Sequence, residues 1–436
     1  MSSTMNYYQA LVRARDEKRK SEPEPKFTEG VWLPQVMTGA HVAGMGWDPV
    51  EVLREGVRKW HRFSWSDVLK VAEVVGWEKW ILELERRQKA GIQDAANRYR
   101  EQQGVTGSDL DSVTMVSVTG ITGIGFDYAT IIEHTDEREV GMQRGCPIVQ
   151  GIRDFGYEDH PLVEDMMLWC DTYDNMEVRA TSSDIWFTHT HCLGRGDKYC
   201  RFCIDSRDVL PGENYYGTLS RLRDVKRQEA EEEAGGDVGN LWAPAFAVLK
   251  KLESAGLSQE QQLRMGNQIQ ARIAVSTILI GSELIGWERF INGMIEKQIP
   301  KIREMARNVG TKWGITGTTA RDGAVLMNIG MSGMGFDDHQ IVRWSRNRVE
   351  GVARTCPIVD LARQSGLEDR LEGISLWCSA WHTADAGAMN RTVSCTFTHC
   401  LGRGDKLCRW IVESDEPEEK VVRIVREPPV AEKVPA

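Results

Sequence analysis

The chain of 436 residues has no run of about eighteen apolar residues, the length a helix needs to cross a bilayer, so no membrane span is expected. Its N-terminus is polar and charged and offers no apolar signal segment. It has no surplus of positive charge. Against 64 Asp and Glu stand 54 Lys and Arg, a net charge of −10, which argues against nucleic acid as a main partner. The Gly-rich run through Gly120, Gly123 and Gly125 lacks the Lys-Ser/Thr ending of a phosphate-binding loop and reads as a hairpin turn. What remains is a soluble globular composition, 41% hydrophobic, with a cytoplasmic location by default. Thiols stay reduced there, so the ten cysteines are read as ligands, nucleophiles or core residues rather than disulfides.

What is present is a duplication. The block from Thr190 to Arg201 recurs from Thr398 to Arg409, with Leu407 in place of Tyr199. Cys192 and Cys400 are 208 residues apart, as are Cys170 and Cys378. Upstream the offset is 210: Cys146 matches Cys356, Phe126 matches Phe336, Trp77 matches Trp287, Leu53 matches Leu263 and Trp32 matches Trp242. One short deletion in the second copy accounts for the change of offset. The expected organisation is a charged N-terminal arm over 1–25, a first unit over 26–222, a charged linker over 223–238, a second unit over 239–414 and a disordered acidic, Pro-rich tail over 415–436. The copies should pack like a fused homodimer with pseudo-two-fold symmetry.

Within the first unit, Ser66 is placed to cap a helix carrying Leu69, Ala72 and Val75. A second helix follows from Trp77, with an apolar stripe through Trp80, Leu84, Ile92, Ala95, Ala96 and Tyr99 and a stop at Gly104. The alternation from Val113 to Thr119 reads as a strand, followed by the Gly-rich turn and a return strand from Phe126 to His134. Pro147 opens another helix after Cys146. Asp184 to Cys192 and Cys200 to Ile204 read as a hairpin. The fold class is therefore α+β, one unit used twice, each with helices packed on an antiparallel sheet.

Eight cysteines form matched pairs, 146/356, 170/378, 192/400 and 200/408. With the hairpin turn centred on Gly196, Cys192 faces Cys200 across the strands, close enough for two thiolates to share a metal ion. Zinc is the metal considered; no organic cofactor is evident. Cys192, Cys200, Cys400 and Cys408 are the candidate ligands, with Cys146 and Cys170 able to complete a set in the first unit. The plainer reading is that free cysteines are common buried residues. In the same register His189 faces Cys203, and His191, on the opposite strand face from Cys192, faces Arg201.

The copies differ in ionisable residues. Glu133, His134, Asp171, Asp174 and His189 of the first align with Arg343, Trp344, Ser379, His382 and Phe397 of the second. Either one copy does chemistry and the other supports it, or the second has drifted. A His beside a Cys suits nucleophilic catalysis, and a His beside a carboxylate suits acid–base work at neutral pH.

The order Arg144-x-Cys146, Gly156, Cys170 with nearby acids, then Thr-x-x-x-Gly-x-Gly-Asp-x-x-Cys-x-Phe from Thr190 to Phe202 resembles the L-2-amino-thiazoline-4-carboxylic acid hydrolase family. The resemblance covers about residues 65–205 and again about 275–413. By that likeness Arg144, Cys146, Cys170, Asp174, Gly196, Asp197 and Cys200 match motif positions. In the second copy Arg354, Cys356, Cys378, Gly404, Asp405 and Cys408 do so. His382 departs from it, standing where an acid is expected. Cys192 and Cys400 depart too; paired cysteines eight apart look more like the zinc-containing 4-vinyl reductase domain, a ligand-sensing module.

The expected function is a hydrolase or related lyase acting on a small polar molecule such as a cyclic amidine or amide. Cys146 or Cys170 would be nucleophile or metal ligand, and Asp174, His189 and His191 acid–base groups. The rival is a tandem small-molecule sensor or accessory module with structural zinc and no turnover; a reductase accessory domain is a third reading. Expected partners are a small molecule and, for a Trp-rich surface, further copies of the chain.

Overall fold

The computed structural model describes residues 6–22, 48–123, 129–157, 160–206, 212–233, 256, 258–315, 317–336 and 339–417. The first unit runs α2 (Pro49–Val75), α3 (Trp77–Gln103), α4 (Leu110–Gly123), β1 (Ala129–His134), β2 (Arg138–Gln143), α5 (Pro147–Asp154), α6 (Met166–Thr181), β3 (Trp186–His191) and β4 (Cys200–Asp205), after a leading helix α1 (Tyr7–Ser21). Helix α7 (Tyr215–Glu233) leads into the second. There follow α8 (Gln259–Ile285), α9 (Trp287–Lys297), α10 (Ile299–Lys312), α11 (Ala320–Gly333), β5 (His339–Trp344), β6 (Arg348–Ala353), α12 (Pro357–Gln364), α13 (Ile374–Ala386), β7 (Ser394–His399) and β8 (Cys408–Glu413). Each unit has one four-stranded antiparallel sheet, ordered β1-β2-β4-β3 and β5-β6-β8-β7. The fold is α+β, with two similar units.

Local chemistry sets the boundaries. Helix α2 starts at Asp48, whose Oδ1 accepts the Val50 N–H at 3.0 Å, with Pro49 in the first turn where a missing N–H costs nothing. Ser66 is therefore not a cap: it lies mid-helix, and its hydroxyl donates back to the Arg62 carbonyl at 2.9 Å. Helices α2 and α3 meet at Gly76 with φ 81°, and their counterparts α8 and α9 at Gly286 with φ 83°, a conformation costly for any residue with a Cβ. The counterpart of α3 is split in two, and Pro300, in the first turn of α10, explains the break.

The segment expected as a strand from Val113 is instead helix α4. Leu110, Val113 and Val116, three apart, put one apolar face on the core, and the Asp109 carboxylate accepts the Ser112 N–H at 2.8 Å to start the helix. Gly120 and Gly123 belong to that helix rather than to a turn, and Gly125 lies outside the described residues. So do Trp32, Trp242, Phe126 and most of the tail.

The units exchange elements. Helices α2 and α8 lie along each other as the largest helix pairing; α2 then packs on α11 of the second unit and α8 on α4 of the first. The leading helices are exchanged as well. Tyr7-Tyr8, Leu11, Arg15-Asp16 and Lys18-Arg19 of α1 match Tyr215-Tyr216, Leu219, Arg223-Asp224 and Lys226-Arg227 of α7. Helix α1 packs on β7 of the second unit, and α7 on β3 of the first. Arg19 pairs with Asp405 at 2.7 Å as Arg227 pairs with Asp197 at 3.5 Å; Lys18 pairs with Glu413 as Lys226 pairs with Asp205. Residues 7–21 of the expected arm and 223–233 of the expected linker thus belong to one repeated helix, and residues 1–5, 23–25 and 234–238 lie outside the described ones. One apolar core, including Trp60, Phe63, Leu69, Leu168, Ile278 and Trp377, runs through both units.

Candidate functional site

Helix α6 and strand β3 build the site together. Asn175 binds both the N–H (2.9 Å) and the carbonyl (2.7 Å) of Phe187, pinning helix to strand. One turn earlier, Asp171 Oδ1 accepts the backbone N–H of His189 at 3.0 Å and its ring Nδ1 at 2.6 Å. A carboxylate there requires the proton on Nδ1 and leaves Nε2 as the remaining polar atom of the ring. Cys170, Asp174 and Glu177 follow one another at helical spacing along a single face of α6.

The hairpin supplies the sulfurs. After Cys192 the chain makes a short 3-10 turn over Leu193–Arg195 and reverses at Gly196 with φ 87°. Asp197 locks the loop by accepting the Cys192 N–H at 2.8 Å. Sulfur Sγ of Cys192 accepts the Gly194 N–H, and that of Cys200 the Leu193 N–H, each at 3.3 Å. The Cys200 thiol is also in hydrogen-bond contact with Cys192 and Cys146.

The register departs from the regular hairpin expected. A bulge at Thr190 places His189 opposite Phe202, and Thr188 opposite Cys203, so the His189/Cys203 pair does not form. The second unit has the same bulge, and Phe397 faces Trp410, not Ile411. An extra residue on one strand shifts all pairing on one side of it. His191 does face Arg201, as expected.

A cavity of about 70 Å³ lies between α6, β3, β4, α5 and α8. Cys146, Cys170, Asp174, His189, Cys192 and Cys200 all line it, together with Trp65, Met167 and Trp169. The structure thus gathers six of the seven first-unit candidates. His191 is the exception. Half-buried, it bonds Thr190 at 3.0 Å and rests against Tyr199 under the charges of α7, which places it outside this lining. Cys400 and Cys408 lie in the second unit's hairpin, where Cys408 contacts Cys356 and Cys400 in the same pattern. Glu133 and His134 are also apart: His134 bridges Glu139 and Asp111 at 2.8 Å each.

The electrostatics of the cavity are unusual. Burial opposes charge on His189, but the hydrogen bond and charge of Asp171, helped by Asp174, outweigh it and lift the imidazole to about 9. Burial pushes Asp171 up, with the two N–H bonds from His189 and its charge pulling the other way. Burial raises Asp174 to about 7, with His189 pulling the other way. Glu177, disfavoured by burial and then by Asp174, rises to about 8. Burial holds the Cys170 thiol well above its usual range; the Cys192 thiol is raised by its bond to Cys200 and by burial. Such thiols are protonated at neutral pH and poor nucleophiles.

Zinc at the paired cysteines requires further ligands. Among the described residues no group of three or more His, Cys, Asp or Glu side chains is arranged to hold a metal ion. Among the cavity residues that the sequence reading did not single out are Trp169, hidden among core-like tryptophans, and Gln270, which comes from the other unit. Its alignment with Trp60 was the available signal.

No family model, curated protein or solved structure matches this chain. Among the described residues no single helix is long and apolar enough to cross a membrane.

Proposed function

We propose that the first unit acts on a small molecule in its cavity by acid–base chemistry, as a hydrolase or lyase, and that the second unit supports it. The observation that carries this reading is a carboxylate-held imidazole near 9 and a carboxyl near 7 facing one enclosed volume. Above about 7, Asp174 is ionised and takes a proton from water or substrate. Below about 9, His189 carries a proton that it donates, or holds beside developing negative charge, while Asp171 keeps the ring oriented. The Cys170, Cys192 and Cys200 thiols act as cavity wall. The small volume confines the substrate to a compact molecule, in keeping with a cyclic amidine or amide.

The test is turnover of small cyclic amidines and amides, followed by NMR, with wild type and His189→Phe. Conversion by wild type alone is the expected result; equal conversion by both would remove this mechanism. A second reading, a sensor that binds without turnover, is favoured by the mainly apolar lining and the protonated thiols. It predicts saturable binding of one of these compounds with no product.

A further inference from the structure

The first unit does not close its own cavity. Gln270 and Ile273 enter the wall from α8, the helix that opens the second unit. Gln270 is fully buried, and its Nε2 donates to Ser64 Oγ at 2.9 Å. The Ser64 hydroxyl hydrogen goes to the carbonyl of Trp60 or His61, each at 3.1 Å, so its oxygen must accept from Gln270. That fixes which end of the amide is nitrogen. The other end, Oε1, has no hydrogen-bond partner among the described residues. Trp169 lines the same cavity from α6 of the first unit, 1% exposed, and its Nε1–H is also without a partner among the described residues. A buried acceptor and a buried donor, each unpaired, are costly unless something in the cavity meets them.

The complement of these two groups is a molecule with one donor and one acceptor. His189 in the wall already has Asp171 as its partner at 2.6 Å, and the two unpaired groups are themselves uncharged. We infer that the ligand is a compact neutral molecule with an amide-type edge, held across the boundary between the units, its N–H donating to Gln270 Oε1 and its C=O accepting from Trp169 Nε1. Gln270 is then a specificity-determining residue supplied by the second unit. At the matching position on α2 stands Trp60. This inference rests on the first-unit cavity being the functional site, and not on the acid–base chemistry assigned to it.

The probe is the lactam 2-pyrrolidinone, compared with N-methyl-2-pyrrolidinone, which keeps the carbonyl and lacks the N–H. Binding to the full chain is followed by ligand-observed NMR. The lactam should bind wild type with a Kd of about 1 mM. The N-methyl compound should bind at least about ten-fold more weakly, as should the lactam to Gln270→Met, because each comparison loses one buried hydrogen bond. A thermal melt checks that Gln270→Met is folded, and the two-ligand comparison on wild type needs no variant. Equal binding of both compounds, lactam binding unchanged by Gln270→Met, or no lactam binding at about ten times the expected Kd would each overturn the inference. The outcomes separate from the proposed function: if His189→Phe turned over like wild type while lactam binding still needed Gln270, the chemistry would fall and this site would stand.

Discussion

Where the first unit sets His189 against Asp171, the second sets Phe397 against Ser379. The Ser379 hydroxyl accepts the Phe397 N–H at 3.0 Å, doing for the backbone what Asp171 does for His189. Asp174 is replaced by His382, which stacks on Phe397 at 5.4 Å and is held neutral by burial. Gln270 and Ile273 correspond to Trp60 and Phe63. Phe63 packs on Trp381 at 4.2 Å and Trp377 at 5.0 Å, where the first unit keeps its cavity. The same backbone therefore folds with aromatic rings in place of a charged, hollow centre. Buried charge is expensive, and the second unit shows that this fold does not require it there. That argues for a role other than stability for the Asp171–His189–Asp174 set.

The largest expected effect comes from making the first unit resemble the second. Asp171→Ser combined with His189→Phe should lower kcat by about 10³-fold or more on any substrate found, with the protein still folded by thermal melt. Asp174→Asn is milder. Its rate should fall by about 10²-fold. Wild type should show a bell-shaped profile with its plateau between about 7 and about 9, and the variant should lose the limb near 7.

The next contrast concerns one carboxyl in each unit. Asp385 is paired with Lys59, which reaches it from α2, both side chains 9% exposed. Its counterpart is Glu177, and Ile269 aligns with the lysine. Lys59→Met should cost about 3–5 kcal/mol by denaturant unfolding, because it strands a buried charge. Ile269→Lys should act on Glu177 in the reverse sense and more weakly. Glu177 has its folded pKa raised from 4.5 to about 8, so the folded state holds the extra proton in that window and stability falls as pH rises through it. The new lysine should flatten that fall, seen as a smaller loss of Tm between pH 5 and pH 8. An unchanged slope would break the parallel between the two carboxyls.

The sequence carried the duplication, helix α3, the start of α5 and the hairpin, because each leaves a local mark: a constant offset, a stop glycine, a proline, an alternation. It misled at α4, where Val113 and Val116 suit a strand and a helix equally and Asp109 was the deciding cap. It also misled at Thr190, since a bulge has no local signature in Thr-His-Thr-His. The matched cysteines and the His189 contrast pointed to residues that the fold gathers around one cavity. Gln270 was out of reach for a different reason. No spacing in the chain ties it to Trp169; only the packing of α8 on the first unit brings the two to one cavity.

The most direct test needs no substrate. Titrating the histidine imidazoles by NMR, with His189→Phe and His382→Phe to assign the two signals, measures the electrostatic contrast between the units. The account predicts that His189 titrates near 9 and that His382 stays neutral well below 6.5. Both imidazoles titrating together near 6.5 would contradict it, because the first unit's cavity would then hold no charged pair to set it apart from the second.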